Sequence, residues 1–138
     1  MKRILLLAAA ILGLFFFVGC SKDTSTSDWM HNGVWTADVS AQNDFTSGTM
    51  KIKFINGGYE FNAELVDKDG TGTHMSAKQY VEISYNFPSI TIPYPRGNDG
   101  NDKVLWQGTI SDDLKEIRFG TMELPFSGIV LRNIVFKR

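Results

Sequence analysis

An alternation of apolar and polar residues runs through this chain from Gly33 to its end. It repeats every two residues, most clearly at 35–39, 50–54 and 59–65. A period of two is the period of a β-strand, in which successive side chains point to opposite faces. Each predicted strand has one polar and one apolar face, as strands of antiparallel sheets do and strands of parallel sheets rarely do.

Turn residues separate these runs. Asn56-Gly57-Gly58 predicts a tight β-hairpin between the second and third runs, because Asn and Gly tolerate positive φ. A later run carries Val81, Ile83 and Tyr85 on one face, and Pro88 is predicted to end it. Further turns are predicted at 67–72, 96–102 and 111–113. The one candidate for a helix is a single turn at 27–32.

About eight short strands with frequent turns are typical of a β-barrel or a β-sandwich. We therefore predict an all-β fold for residues 33–138, a small antiparallel up-and-down β-barrel, with an open β-sandwich as the alternative. The residues predicted to point inward are Trp35, Met50, Ile52, Phe54, Phe61, Val81, Ile83, Tyr85, Trp106 and Phe119.

This inward set has two interpretations. The interior of an eight-stranded barrel is either filled by side chains or shared with one small ligand. In the first case the set is a packed core. In the second it lines a lumen for an apolar or amphiphilic ligand, since such cavities have apolar and aromatic walls. The segment 93–102 would then lie at the mouth of the lumen, where Tyr94 and Arg96 offer contacts, or it is an ordinary connection.

The N-terminus has the layout of a secretory signal. Met1-Lys2-Arg3 is positively charged, Ile4 to Val18 carries no charge, and Gly19 precedes Cys20, the one cysteine of the chain. This layout predicts removal of residues 1–19. The apolar run is shorter than the roughly 20 residues that a membrane-spanning helix needs. An uncleaved anchor is the alternative.

The end of this segment, Phe17-Val18-Gly19-Cys20, resembles the lipobox of bacterial lipoproteins, with Phe17 where leucine is usual. The resemblance implies that the Cys20 thiol is acylated with palmitate-type chains and that Cys20 becomes the new N-terminus. Residues 20–32 begin with a polar, Ser/Thr-rich stretch that suits a flexible tether. We expect the protein at the outer membrane, since Ser21 is not the aspartate that resembles an inner-membrane retention signal. The leaflet stays open.

The first predicted strand begins with Gly33-Val34-Trp35, which is similar to the Gly-x-Trp at the start of lipocalins. In that family an arginine of the last strand covers the tryptophan and closes one end of the barrel. The resemblance implies this role for Arg132 over Trp35, a cation–π contact of about 0.5–2 kcal/mol. It rests on the two chain ends and the strand count. The middle of the chain matches no other lipocalin motif.

The sequence offers no catalytic constellation, and we expect no enzyme. No Gly-x-Ser-x-Gly is present, Cys20 is assigned to the lipid, and the two histidines are His31 and His74. Glu60 and Glu64 share the polar face of one strand. They are predicted to face Lys51 and Lys53 across the hairpin rather than to act as an acid–base pair.

Metal ions, other cofactors and nucleic acid are not expected as partners. The segments 67–70 and 98–102 contain the oxygen ligands that Ca²⁺ prefers, but neither has a full calcium-loop spacing, and the same residues are common in turns. The chain has 14 basic and 15 acidic residues with no basic run, which argues against nucleic-acid binding.

Two functions remain after these exclusions. The first is an outer-membrane-anchored lipoprotein that binds a small hydrophobic or amphiphilic ligand inside a lipocalin-like barrel. The alternative is a non-catalytic structural or protein-interaction lipoprotein, an accessory subunit or inhibitor, with a filled core and an envelope protein as its partner. The packing of the interior distinguishes them.

Overall fold

The computed structural model describes residues 29–96, 101–124 and 128–138. The chain divides into two compact units, Met1–Asn32 and Gly33–Arg138. The described part of the first unit is a turn at 29–32, in which the backbone N–H of Asn32 donates to the carbonyl oxygen of Trp29 at 3.4 Å. The predicted signal, Cys20 and the first part of the tether lie outside the described residues.

The second unit is all-β. Its strands are β1 (Trp35–Val39), β2 (Phe45–Ile55), β3 (Gly58–Asp67), β4 (Gly72–Gln79), β5 (Ser84–Asn86), β6 (Ser89–Arg96), β7 (Asp102–Ile110), β8 (Glu116–Glu123) and β9 (Val130–Lys137). They form one antiparallel sheet in the order β4-β3-β2-β1-β9-β8-β7-β6-β5. Within the described ranges there is no helix of the length and hydropathy needed to cross a bilayer.

The predicted all-β, up-and-down antiparallel fold is confirmed, with nine strands in place of about eight. Nearly every strand pairs with its neighbours in the chain, and β1 also pairs with β9, at Thr36 and Lys137. The result is one strongly curled, barrel-like sheet, whereas a sandwich would need two facing sheets. β4 and β5 end the strand order and do not pair with each other. We call the gap between them the seam.

The hairpin of β2 and β3 is the longest paired region. The turn at Asn56-Gly57 joins Ile55 to Gly58, and Gly57 has a φ of +83°, as the sequence predicts for this position. The pairing then continues along both strands with one irregularity, between Phe45 and Ser47. This ladder places the apolar residues of both strands on the inner face of the sheet.

The region after this hairpin differs from the prediction. Residues 80–83 lie outside any strand, so the predicted strand through Val81, Ile83 and Tyr85 shrinks to β5, which begins at Ser84. By contrast, β6 is a full strand of eight residues that includes Pro93 and Pro95. The predicted connection at 93–102 therefore contributes its first four residues to the sheet.

Candidate functional site

The interior of the curled sheet is filled by side chains. Seven residues of the predicted inward set have at most 2% of their surface exposed, namely Trp35, Met50, Ile52, Phe54, Phe61, Trp106 and Phe119. Others on the same face are equally buried, among them Tyr59, Leu65, Ile92, Tyr94 and Phe136. The interior therefore consists almost entirely of large apolar and aromatic side chains.

Four aromatic rings meet across the middle of the sheet. The ring centroid of Trp106 in β7 lies 5.1 Å from that of Phe61 in β3 and 5.3 Å from that of Tyr94 in β6. Tyr59 in β3 lies 6.1 Å from Trp106. These are distances of direct ring contact. Because β3 is far from β6 and β7 in the strand order, the contacts span the interior and leave its centre occupied.

The polar atoms of these rings are hydrogen-bonded to other strands of the sheet. The indole N–H of Trp106 donates to the carbonyl oxygen of Glu123 at 2.9 Å. The hydroxyl of Tyr59 donates to the carbonyl oxygen of Pro93 at 2.8 Å. The hydroxyl of Tyr94 is hydrogen-bonded to the Gln79 side chain, and burial raises its pKa. Burial, and secondarily Tyr94, raises the pKa of Tyr59, so both hydroxyls stay neutral.

Val81, Ile83 and Tyr85 do not belong to the filled interior. All three are half-buried, and Val81 and Ile83 precede β5 without a strand partner. They border the seam, because β4 and β5 do not pair and no strand covers that side of them. The predicted inward set therefore contains a fully buried group and a group at the margin of the sheet.

The predicted role of Arg132 is wrong. The guanidinium over Trp35 is that of Arg138, whose Cζ lies 5.1 Å from the ring centroid. The reason is the register of the chain ends. Thr36 pairs with Lys137, so Arg138 is adjacent to Trp35, whereas Arg132 lies six residues before Arg138. Arg132 is exposed, and its backbone N–H and C=O bond to the Gln42 side chain at 2.6 and 3.1 Å.

A surface groove of about 620 Å³ lies beside the seam. Tyr80 and Val81 form one wall, and outward-facing residues of β6 and β7, including Pro93 and Leu105, form the other. Tyr80 is 70% exposed and Leu105 48% exposed. Large apolar side chains are therefore presented to solvent on this part of the outer surface.

A second cleft, of about 380 Å³, opens where β7 and β8 diverge. These strands pair only from Gly108 to Ile110 of β7. Where they no longer pair, Arg96 of β6 forms an ion pair with Glu123 of β8. The sequence predicted that Arg96 and Tyr94 could contact a ligand at the mouth of a lumen, whereas Arg96 is engaged with Glu123. Tyr94 is buried in the core and does not lie at a mouth.

The acidic residues of β3 pair with β4. Glu60 lies 3.6 Å from the Lys78 Nζ, and Glu64 lies 3.8 Å from the His74 Nδ1. As predicted, Glu60 lies opposite Lys53 across the hairpin, whereas Glu64 lies opposite Thr49 rather than a lysine. The ion pairs of both glutamates are formed with β4, on the other side of β3. All of these groups are on the polar outer face.

The first predicted calcium-like segment forms a turn. The Asp69 carboxylate accepts a hydrogen bond from the backbone N–H of Thr71 at 2.9 Å, and hydrogen bonds from Thr71 lower the pKa of Asp69. Asp67 accepts one from the Thr73 hydroxyl at 3.1 Å. Most of the second segment, 98–102, lies outside the described residues. Among those described, no three His, Cys, Asp or Glu side chains are grouped closely enough to hold a metal ion.

The chain matches no protein-family model, no curated protein and no solved structure. Its function is therefore argued from its own side chains. Tyr94 belongs to the aromatic cluster of the interior, but the sequence-based prediction does not place it in the core, because prolines flank it on both sides. The signal that identifies it is the alternation of Ile90, Ile92 and Tyr94, which continues through the prolines.

Proposed function

We propose that this chain is a lipid-anchored lipoprotein of the outer membrane that acts through protein contacts of its outer surface. It would serve as a structural module, accessory subunit or inhibitor and would have no catalytic activity. The observation that carries this proposal is the filled interior, in which the rings of Phe61, Tyr94 and Trp106 lie 5.1 to 6.3 Å apart. A ligand at this position would have to displace packed side chains, which is costly in a close-packed core.

The anchor is supported by the sequence around Cys20 alone. Cys20→Ser should abolish incorporation of labelled palmitate and move the protein from the membrane fraction to the soluble fraction. Ser21→Thr is the matched control and should change neither. Membrane attachment of the Cys20→Ser variant, or a wild-type protein without acyl chains, would contradict the anchor.

The outer surface supplies apolar contacts for a protein partner. Tyr80, Leu105 and Val130 are large apolar residues that are more than a third exposed. Tyr80 and Leu105 share the groove beside the seam, while Leu105 and Val130 share the cleft where β7 and β8 diverge. Contiguous exposed apolar surface with charged residues at its border is typical of an interaction site.

A photo-reactive residue at Leu105 tests this surface in intact cells. We expect it to cross-link one envelope protein in stoichiometric yield, and Leu105→Asp to abolish co-purification of that protein. The control position is Val66, which is also exposed but lies on β3, away from the groove. Equal capture at both positions, or no effect of Leu105→Asp, would contradict the proposal.

A ligand-binding assay distinguishes the proposed function from ligand binding in a lumen. The expected results are those of a filled interior. Native mass spectrometry of the protein with phospholipids and fatty acids should show no bound ligand, and titration should leave the tryptophan fluorescence unchanged. A ligand bound one-to-one with a shift in that fluorescence would favour ligand binding inside the sheet, because Trp35 and Trp106 are both fully buried there.

A further inference from the structure

The two sides of the seam differ in what their edges offer to another strand. β4 has eight residues, whereas β5 has three. β5 pairs with β6 only from Ser89 to Thr91, so the rest of β6 borders the seam directly. The edges to compare are therefore those of β4 and β6.

The pairing register shows which backbone groups of β4 point into the seam. Ile55 and Gly58 close a two-residue turn and form a hydrogen-bonded pair. Because bonded and non-bonded pairs alternate, Tyr59 and every second residue after it direct their N–H and C=O groups towards β4. Their partners on β4 are Gln79, Ala77, Met75 and Thr73. The residues of β4 whose N–H and C=O point into the seam are Gly72, His74, Ser76 and Lys78.

The edge of β6 cannot accept a strand beyond Thr91. Pro93 and Pro95 lie opposite Leu105 and Lys103 of β7. A proline has no N–H, so within a sheet it occupies a position whose amide would face away from the neighbouring strand. The carbonyl oxygen of Pro93 already accepts the Tyr59 hydroxyl. Beyond Thr91, the prolines of β6 therefore offer no backbone donor to the seam.

Apart from the exposed side chain of Lys78, the edge of β4 has few of the features that protect edge strands. It contains no proline, pairs with β3 without a bulge, and carries no charge on its inward face. The inward residues Thr73, Met75 and Ala77 are only half-buried. Among the described residues, β4 thus combines unpaired backbone groups with partly uncovered apolar side chains.

We infer that β4 pairs with the β4 strand of a second copy of this chain, antiparallel about a twofold axis at Met75. In this register His74 lies opposite Ser76 of the second copy, and Lys78 lies opposite its Gly72. These are the residues whose N–H and C=O groups point into the seam, so all of these groups find partners. The inference goes beyond the proposed function, which concerns a different protein.

The side chains on the outer face of β4 favour this register over the neighbouring one. Moving the axis by one residue, to Ser76, would place His74 directly opposite Lys78 on both sides of the dimer. Both side chains already lie close to glutamates of β3, at 3.8 Å for His74 and 3.6 Å for Lys78, so that register would set two long, engaged side chains against each other. The axis at Met75 sets each of them against a small neutral residue instead. It also brings the inward residues Thr73, Met75 and Ala77 of both copies into one row.

Sedimentation velocity of the full chain in detergent, over a range of protein concentrations, tests this pairing. We expect a monomer–dimer equilibrium for the wild type. Ser76→Pro removes an N–H that faces the seam, and it leaves the bonds to β3 intact. It should weaken the dimer by about 30-fold or more, because two symmetry-related hydrogen bonds are lost. Ser76→Thr keeps the N–H and should dimerise like the wild type, and circular dichroism checks the fold of both.

Single cysteines test the axis itself. Opposed residues of a non-bonded antiparallel pair have Cα atoms about 4.5 Å apart, within reach of a disulfide. Met75→Cys should therefore give a disulfide-linked dimer on mild oxidation. Ser76→Cys should not, since it lies opposite His74, and the wild-type chain controls for Cys20.

Several results would overturn the inference. One is a wild-type chain that stays monomeric at every concentration, and another is a Ser76→Pro dimer of unchanged affinity. The third is equal cross-linking by Met75→Cys and Ser76→Cys. Assemblies larger than a dimer would also contradict it, because a twofold pairing is complete with two copies.

Discussion

The interior of the sheet and the seam share the same sequence alternation, but they differ in burial. Phe61 and Trp106 have at most 1% of their surface exposed, whereas Val81 and Ile83 are half-buried. The strands that carry the first pair, β3 and β7, are paired on both edges. Residues 80–83 have no strand partner. Alternation therefore indicates which face a side chain takes, and the neighbouring strands decide how deeply it is buried.

The largest difference in stability is expected between side-chain truncations in the interior and at the seam. Trp106→Ala should lower the free energy of unfolding by about 3–5 kcal/mol, because it empties the centre of the ring cluster and leaves the carbonyl oxygen of Glu123 without its donor. Ile83→Ala should cost about 1 kcal/mol, since much of that side chain is already in water. Urea denaturation of both variants measures the difference.

Equal losses for the two variants would show that the seam is as closed as the interior. A small loss for Trp106→Ala would show that the interior is loosely packed, which would favour a lumen. Tyr80→Ala serves as the surface reference and should stay within about 0.5 kcal/mol of the wild type, because Tyr80 is 70% exposed.

The start of β3 lies against the end of β4, and a substitution there tests how closely the two backbones approach each other. A Cβ at Gly58 would collide with the backbone oxygen of Gln79. Gly58→Ala should therefore lower stability by about 2 kcal/mol, because two strands must separate to admit it. Gly72→Ala is the control on β4, since nothing lies within 4 Å of its added Cβ. Thermal unfolding that places both variants at the wild-type midpoint would contradict this close contact.

Much of the fold could be predicted from local sequence. The period of two identified the β-class, and Asn56-Gly57 located the hairpin that organises β2 and β3. Both signals are local, because a turn and its flanking strands are specified by adjacent residues. The core positions of β1, β2, β3 and β7 followed from the same pattern, and their burial agrees with it.

The rest depends on pairing between distant residues. The seam exists because β4 and β5 do not pair, and no feature of residues 80–83 indicates this in the sequence. Tyr94 enters the core because β6 pairs with β7 through its prolines. The register between β1 and β9 selects Arg138 over Arg132, and residues about a hundred positions apart set that register. The alternation indicates which face of the sheet a side chain occupies. It does not indicate the register of a strand or the strand with which it pairs.

Tyr59 links the interior to the β6 side of the seam, and its hydroxyl is the next test. Tyr59→Phe keeps the buried ring and removes the donor to the carbonyl oxygen of Pro93. We expect a loss of about 1–2 kcal/mol in the free energy of unfolding, because a part-buried acceptor loses its partner. Tyr80→Phe changes the same group on an exposed ring and should have an effect near zero. Similar values for both variants would mean that the Tyr59 hydroxyl does not stabilise the seam.

The smallest expected effect is at the β1–β9 junction, where the sheet is closed rather than open. Arg138→Ala removes the guanidinium over Trp35 and should cost about 0.5–1 kcal/mol, the usual range for an exposed cation–π contact. Arg132→Ala should cost less, because its Gln42 contacts are made by backbone atoms that the substitution retains. Chemical denaturation of the two variants in parallel measures this order. The reverse order would contradict a stabilising contact between Arg138 and Trp35.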